Sequence, residues 1–492
     1  NHRAHQDVTR RTRTAEPTDH PDNSEDRSGA RRTDGASRGR RTASAKDRGR
    51  DVPPVSALPP WNIQGSIWAP RAAWCDSKDF LDSETIEKQR VSNDWQRACA
   101  MGLTKVVAQN DDDGAADDDG DGIPDEVEEI EAELWSIRHV YFTLFTYYSS
   151  QGNDVCFLFL NQWTQFIEDC AIASNKSKFL KKSDCDRLFI AVDTKAAMMQ
   201  EAAQKEKTKG GGGGNAEGKI AGKDHDDLKK KALSRVEFLY AIVTIAINRY
   251  MMTKKLTDVS EAVNRLLVED VLPLLNPQVF RDPNEFRTRH CYQREMDEVL
   301  KANESSLRNL FTAVCTTGGL GEKTRLMNLE EWKGLLRGLG LLDVDVTDRD
   351  AAMCFAWSRM CVVDDTTKRG RLKETHLPFE GFLEAIVRLS ALKALPTDEE
   401  IHDAGCENAA QHIEKLRADD EDQYKTILAE YAARNAWGDE PPQPLSRCVA
   451  HMCSIIIRTV ESQGGVTSEA NFNNDIGETE ANQWARRFTC YS

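Results

Sequence analysis

The chain has 492 residues, a formal net charge of −16 and 39% hydrophobic side chains. That length supports roughly two to four domains with apolar cores, and the acidic balance argues against a general nucleic-acid binder. Its 13 cysteines are scattered singly, which fits reduced thiols in a cytosolic compartment better than a disulfide framework. No apolar run approaches the roughly 18–20 residues that a membrane span requires.

Residues 1–60 carry 13 Lys/Arg against 9 Asp/Glu among Ser, Thr, Gly and Pro, with almost no large apolar side chains. Such a segment cannot bury enough surface to offset its ordering entropy, so it is read as a disordered basic tail. An N-terminal lobe, 61–255, follows. Trp95, Cys99 and Leu103 stand at helical spacing before a run from Asp111 to Glu133 that holds 13 acids and no Lys or Arg. Charges packed so closely repel one another unless water, salt or a cation intervenes.

Inside that run, "DDDGDGIPDEVE" spaces its oxygens as a calcium loop does (111–128 with the acids that lead in). Asp117, Asp119 and Asp121 alternate, and Gly122 allows the sharp turn that brings their carboxylates together. Ile123 would offer its carbonyl, Asp125 would bind directly or through water, and Glu128 would close the shell with both oxygens. Oxygen-only ligation favours calcium over zinc, and magnesium keeps more of its own water. Pro124 lacks the N–H with which a paired calcium loop holds its neighbour, so this loop is expected to work alone. Acids in the first turn of the following helix also suit its dipole with no metal at all. In that helix Val127, Ile130, Leu134, Ile137 and Tyr141 run down one face.

A Gly/Lys-rich stretch, 195–231, reads as a flexible insertion. Its Gly213–Lys219 spacing imitates a phosphate-binding loop, yet Ile220 stands where Ser or Thr is needed; in Gly318–Thr324, Glu322 intrudes before Lys323. A helical connector, 256–303, places Val259, Ala262, Val263, Leu266 and Leu267 on one face, with Pro273 closing it. A second lobe spans 304–395, with Thr347 or Asp348 capping a helix inside it. Further helices run over 396–463, and 464–492 is a tail. Convincing alternating strands are absent, so the expected class is all-α.

Four segments share a pattern. An apolar residue (Leu158, Leu233, Met327, Leu377) is followed five places later by an aromatic (Trp163, Phe238, Trp332, Phe382), and Ser234, Asn328 or Pro378 stands ready to start the helix in three of them. The Leu158 copy fits less well, because its Asn161 sits two places late. This arrangement resembles the EF-hand superfamily, and the resemblance covers roughly residues 135–393. It implies paired helix–loop–helix units, in which Glu237 and Glu331 hold the place of the last calcium ligand while Gln162 and Gly381 do not. No alternating carboxylates follow Leu320 or Gly370 at the first loop positions, so these units are expected to keep the shape without the ion. The acidic loop is similar to thrombospondin type-3 and dockerin-like calcium loops over about a dozen residues.

Two further groupings hold soft-ligand or nucleophilic side chains. Cys448, His451 and Cys453 are soft ligands without a second pair nearby, and they read as core. His290 beside Cys291 lies in a charged helix face rather than a nucleophile site. No nucleophile elbow, zinc-protease, dinucleotide or kinase motif is present, so no enzyme is expected. The expected role is a non-enzymatic, calcium-responsive scaffold or adaptor for a protein partner, a helix or filament, with neither nucleic acid nor membrane. The expected setting is cytoplasmic, cytoskeletal or flagellar. The alternative is a purely structural component of such an assembly, with no functional metal site.

Overall fold

Side-chain caps start many of the helices where the sequence places them. The computed structural model describes residues 60–492 apart from 111–116, 118–119, 121, 153, 210–230, 276–278, 316–324, 435–440, 464–474 and 489–492. The basic tail, the glycine run of the insertion and all of Gly318–Thr324 thus lie outside the described residues. Within them the chain is mostly helical, with four two-residue strands. No helix among them is long and apolar enough to cross a membrane.

The first half runs α1 (Glu84–Ala100), α2 (Asp125–Ser136), α3 (Arg138–Ser149), β1 (Leu158–Phe159), α4 (Leu160–Asp169), α5 (Lys182–Lys209), β2 (Ala232–Leu233), α6 (Arg235–Ala246) and α7 (Val259–Asn264). The second contains α8 (Arg294–Ala302), α9 (Glu304–Val314), β3 (Met327–Asn328), α10 (Leu329–Gly338), α11 (Asp348–Ser358), α12 (Lys368–Thr375), β4 (His376–Leu377), α13 (Phe379–Leu392), α14 (Leu445–Gln463) and α15 (Glu478–Phe488). Helix α5 continues through 195–209, part of the stretch expected to be flexible. Its Ala, Met, Gln, Glu and Lys residues are all good helix formers.

The strands form two antiparallel ladders. Leu158 lies opposite Leu233, and Met327 opposite Leu377. These are the four apolar positions of the sequence repeat, and the aromatic five places after each is fully buried. Trp163 meets Phe238 edge-on with centroids 6.5 Å apart, and Trp332 meets Phe382 in the same way at 6.1 Å. Each Trp also donates its indole N–H to a carbonyl of a later helix, Cys185 at 3.2 Å and Ala351 at 2.9 Å. The two halves therefore repeat a contact as well as a pattern. Helix α4 begins directly after Phe159 rather than at a cap on Asn161, which brings this copy into step with the others.

The acids of the repeat serve the helix starts. Ser234 and Glu237 form a reciprocal capping box at α6, and Asn328 and Glu331 form another at α10. Thr347 and Asp350 do the same at α11.

Two apolar cores result. One gathers buried residues between Val91 and Leu275, including Val259, Ala262, Val263, Leu266 and Leu267 of the connector. The other gathers residues from Cys291 to Ala485, so that α14 and α15 belong to it, together with Ile67, Trp68 and Val155. The segment 61–82, which the sequence groups with the first lobe, is thus strapped onto the second. Asp297 holds it by accepting hydrogen bonds from the Trp61 indole (2.9 Å) and the Ile67 amide (2.8 Å).

Buried ions tie these parts together. Glu384, wholly enclosed, receives Arg71 of the strap at 2.5 Å, Arg287 at 3.1 Å and Arg388 at 2.6 Å. Between the halves, Arg235 grips Asp94 through two nitrogens (2.6 and 3.0 Å) and reaches Glu374 at 3.0 Å. Tyr141 donates to the same Asp94 at 3.0 Å.

Gly370 sits in the first turn of α12 because nothing larger fits. A Cβ there would lie 1.8 Å from the Asp364 carbonyl oxygen. Gly370→Ala must displace that backbone, and is expected to cost about 1–3 kcal/mol in urea unfolding. Gly334→Ala, where a Cβ meets nothing within 4 Å, is expected to leave stability unchanged or slightly raised.

Candidate metal centre

The acidic loop leads into α2, and the described part of it is folded around one carboxylate. Asp117 accepts the Gly120 amide at 2.8 Å on one oxygen and the Gly122 amide at 3.0 Å on the other. Both glycines have positive φ, +74° and +89°, a region in which a side chain is strained. The glycines are there because the chain has to turn back on Asp117. Extended Pro124 (φ −62°, ψ 136°) then delivers the backbone to α2, which begins at Asp125.

Of the six expected ligands, Asp117 lies inside this turn. Ile123 follows it with an exposed side chain, and as a hydrocarbon residue it has only its backbone carbonyl to offer. Asp125 and Glu128 both stand in the first turn of α2, where the helix dipole favours acids. Asp119 and Asp121 lie outside the described residues. Neither Ile123 nor Pro124 belongs to either ladder, so among the described residues this loop is not paired as the four repeat segments are.

The described residues bring together a different set of acids. Carboxylate oxygens of Glu126, Glu129 and Asp258 all lie within 4.8 Å of one another. Glu126 is buried and accepts the Ser260 amide at 2.8 Å, while Asp258 caps α7 by accepting the Glu261 amide at 2.8 Å. These contacts join the start of α2 to the start of α7. Sequence reasoning missed them because Asp258 is far from the acidic loop in the chain and looks there like an ordinary N-cap.

The softer groupings behave as core. Cys448 and Cys453 are buried in α14, where burial pushes their thiols up to about 11 and about 12. His451 lies 3.1 Å from Asp398, and burial nevertheless holds its imidazole below the usual range. Burial likewise pushes the Cys291 thiol up to about 12, and the His290 ring packs on Phe286 with centroids 4.9 Å apart. Thiols this hard to ionise are poor ligands and poor nucleophiles.

Comparison with known proteins finds no matching family model, curated protein or solved structure.

Proposed function

We propose that the chain is a non-enzymatic, EF-hand-like scaffold whose single acidic loop binds calcium. The ion would be held by Asp117, Asp119, Asp121, Asp125 and Glu128 with the Ile123 carbonyl. The observation that carries this reading is the turn in which two amides converge on the Asp117 carboxylate immediately before a helix with an acidic first turn. The two ladders at the repeat positions, with helices on either side, support the EF-hand-like frame. Glu126 supplies a route for response: drawing Asp125 and Glu128 onto an ion would shift the turn of α2 that holds the α7 start. Exposed Ile190 and Met198 on one side of α5 suit a protein partner with an apolar face.

A second reading is favoured by the same first turn. Glu126 already has a backbone partner, and the acids of α2 complement its dipole without an ion, as in a purely structural component. Calorimetric titration of the full chain separates the two. Saturable heat at about one ion per chain is expected, with unfolding stability raised by about 2.7 kcal/mol at a hundredfold excess over the dissociation constant. Asp117→Ala combined with Asp121→Ala should abolish both. Absence of heat and of any thermal shift at millimolar calcium would leave the structural reading standing.

A further inference from the structure

A cleft of about 340 Å³ opens where the two halves and the connector meet. Its volume is at the small end of ligand pockets. Its lining includes Arg90 of α1 and Phe142 of α3 from the first half, Trp357, Arg359 and Met360 from the second, and Phe280 of the connector.

The charges of this cleft are unevenly satisfied. Each of its four carboxylates is committed: Asp82 to Arg287 at 2.9 Å, Glu87 to Arg138 at 2.9 Å, Asp282 to the Asn284 amide at 2.8 Å, and Glu374 to Arg235 at 3.0 Å. The guanidiniums are not matched in the same way. Arg90 lies 3.6 Å from the Glu374 carboxylate and Arg359 lies 3.7 Å away, both beyond hydrogen-bonding distance of an oxygen that Arg235 already occupies; Arg359 donates instead to the Ala356 and Glu374 carbonyls, at 3.3 and 2.5 Å. Arg90, Arg235 and Arg359 thus crowd around Asp94 and Glu374, with Asp365 nearby and held by Arg97 at 2.6 Å, and Arg90 has no carboxylate within hydrogen-bonding distance.

Arg90 is the least satisfied of the three. Its planar group lies over the Phe142 ring at 4.4 Å, one terminal nitrogen meets the Cys361 sulfur at 3.9 Å, and its buried Nε has no acceptor. A guanidinium offers five donors in a fork suited to an oxyanion. Beside it, Phe142, Phe280, Trp357 and Met360 offer an apolar wall.

We propose that this cleft is a binding site for a small organic anion, a carboxylate or phosphate monoester carrying an aromatic or branched aliphatic body. The anionic head pairs with Arg90 and Arg359, and the body packs on the aromatic wall. Because the walls come from both halves, the ligand bridges them. The site is independent of the acidic loop, and its test is run in EDTA so that calcium plays no part.

The test uses the full chain and phenyl phosphate, with benzyl alcohol as the uncharged comparison, at matched ionic strength. Calorimetry and phosphorus NMR line broadening are expected to show saturable binding of phenyl phosphate at least tenfold tighter than that of benzyl alcohol. Arg90→Met is expected to weaken binding at least tenfold, and Arg187→Met, in an exposed pair with Asp184, to leave it unchanged. No saturable binding at about 10 mM, or equal binding of the two compounds to the unmodified chain, overturns the proposal without any variant having to fold. So does unaltered affinity in a folded Arg90→Met chain.

Discussion

Glu384→Gln lowers the free energy of unfolding by about 3–5 kcal/mol, because it leaves three buried arginines around a group that no longer carries charge. The carboxylate is worth this much only in its place. Burial by itself would raise its pKa, but Arg287, Arg71 and Arg388 outweigh that effect and hold the carboxyl at about 2, against 4.5 for an ordinary glutamate. A depressed folded pKa means that the stabilisation is fully present above the unfolded value near 4.5 and is lost as pH falls towards 2. The shift corresponds to about 3 kcal/mol at neutral pH. Urea unfolding at pH 7 and at pH 4 checks both parts: the variant should have a lower midpoint at pH 7, and the gap to the native chain should narrow in acid. A loss below about 1 kcal/mol at pH 7, the scale of an exposed pair, would mean that the three arginines are satisfied without Glu384.

Trp332→Ala is expected to cost about 3–5 kcal/mol, and Trp163→Ala a similar amount. Both indoles are fully buried, and both donate to a carbonyl that would be left without that donor. Equal costs would reflect the repeated contact with Phe238 and Phe382. A double-mutant cycle of Trp332→Ala with Phe382→Leu should return about 0.5–1.5 kcal/mol of coupling from the edge-on pair. If the coupling is nil, the aromatic pair is incidental to the repeat.

Local pattern carried much of the fold. Leu158, Leu233, Met327 and Leu377 stand out in the sequence because a ladder residue, a cap and a core aromatic at fixed spacing are all decided within a few residues. Thr347 as a cap and the buried face of Val259, Ala262 and Val263 were legible for the same reason. At the acidic loop the turn at Gly122 was legible, since positive φ is a local property. Its neighbours were not: Glu126 looks like one more acid of the run until Ser260 is placed against it.

By itself, then, the sequence determined the helical class, the four repeat positions and an oxygen-rich loop, all set by interactions between near neighbours in the chain. Only the tertiary structure decided that the strap 61–82 lies on the second core, that Glu384 is shared by Arg71, Arg287 and Arg388, and that Arg90 and Arg359 line one cleft beside Glu374. These depend on long-range charge pairing and on which apolar faces meet. An arginine in a sequence carries no mark of whether its partner is in water, four residues on, or in the other half of the molecule.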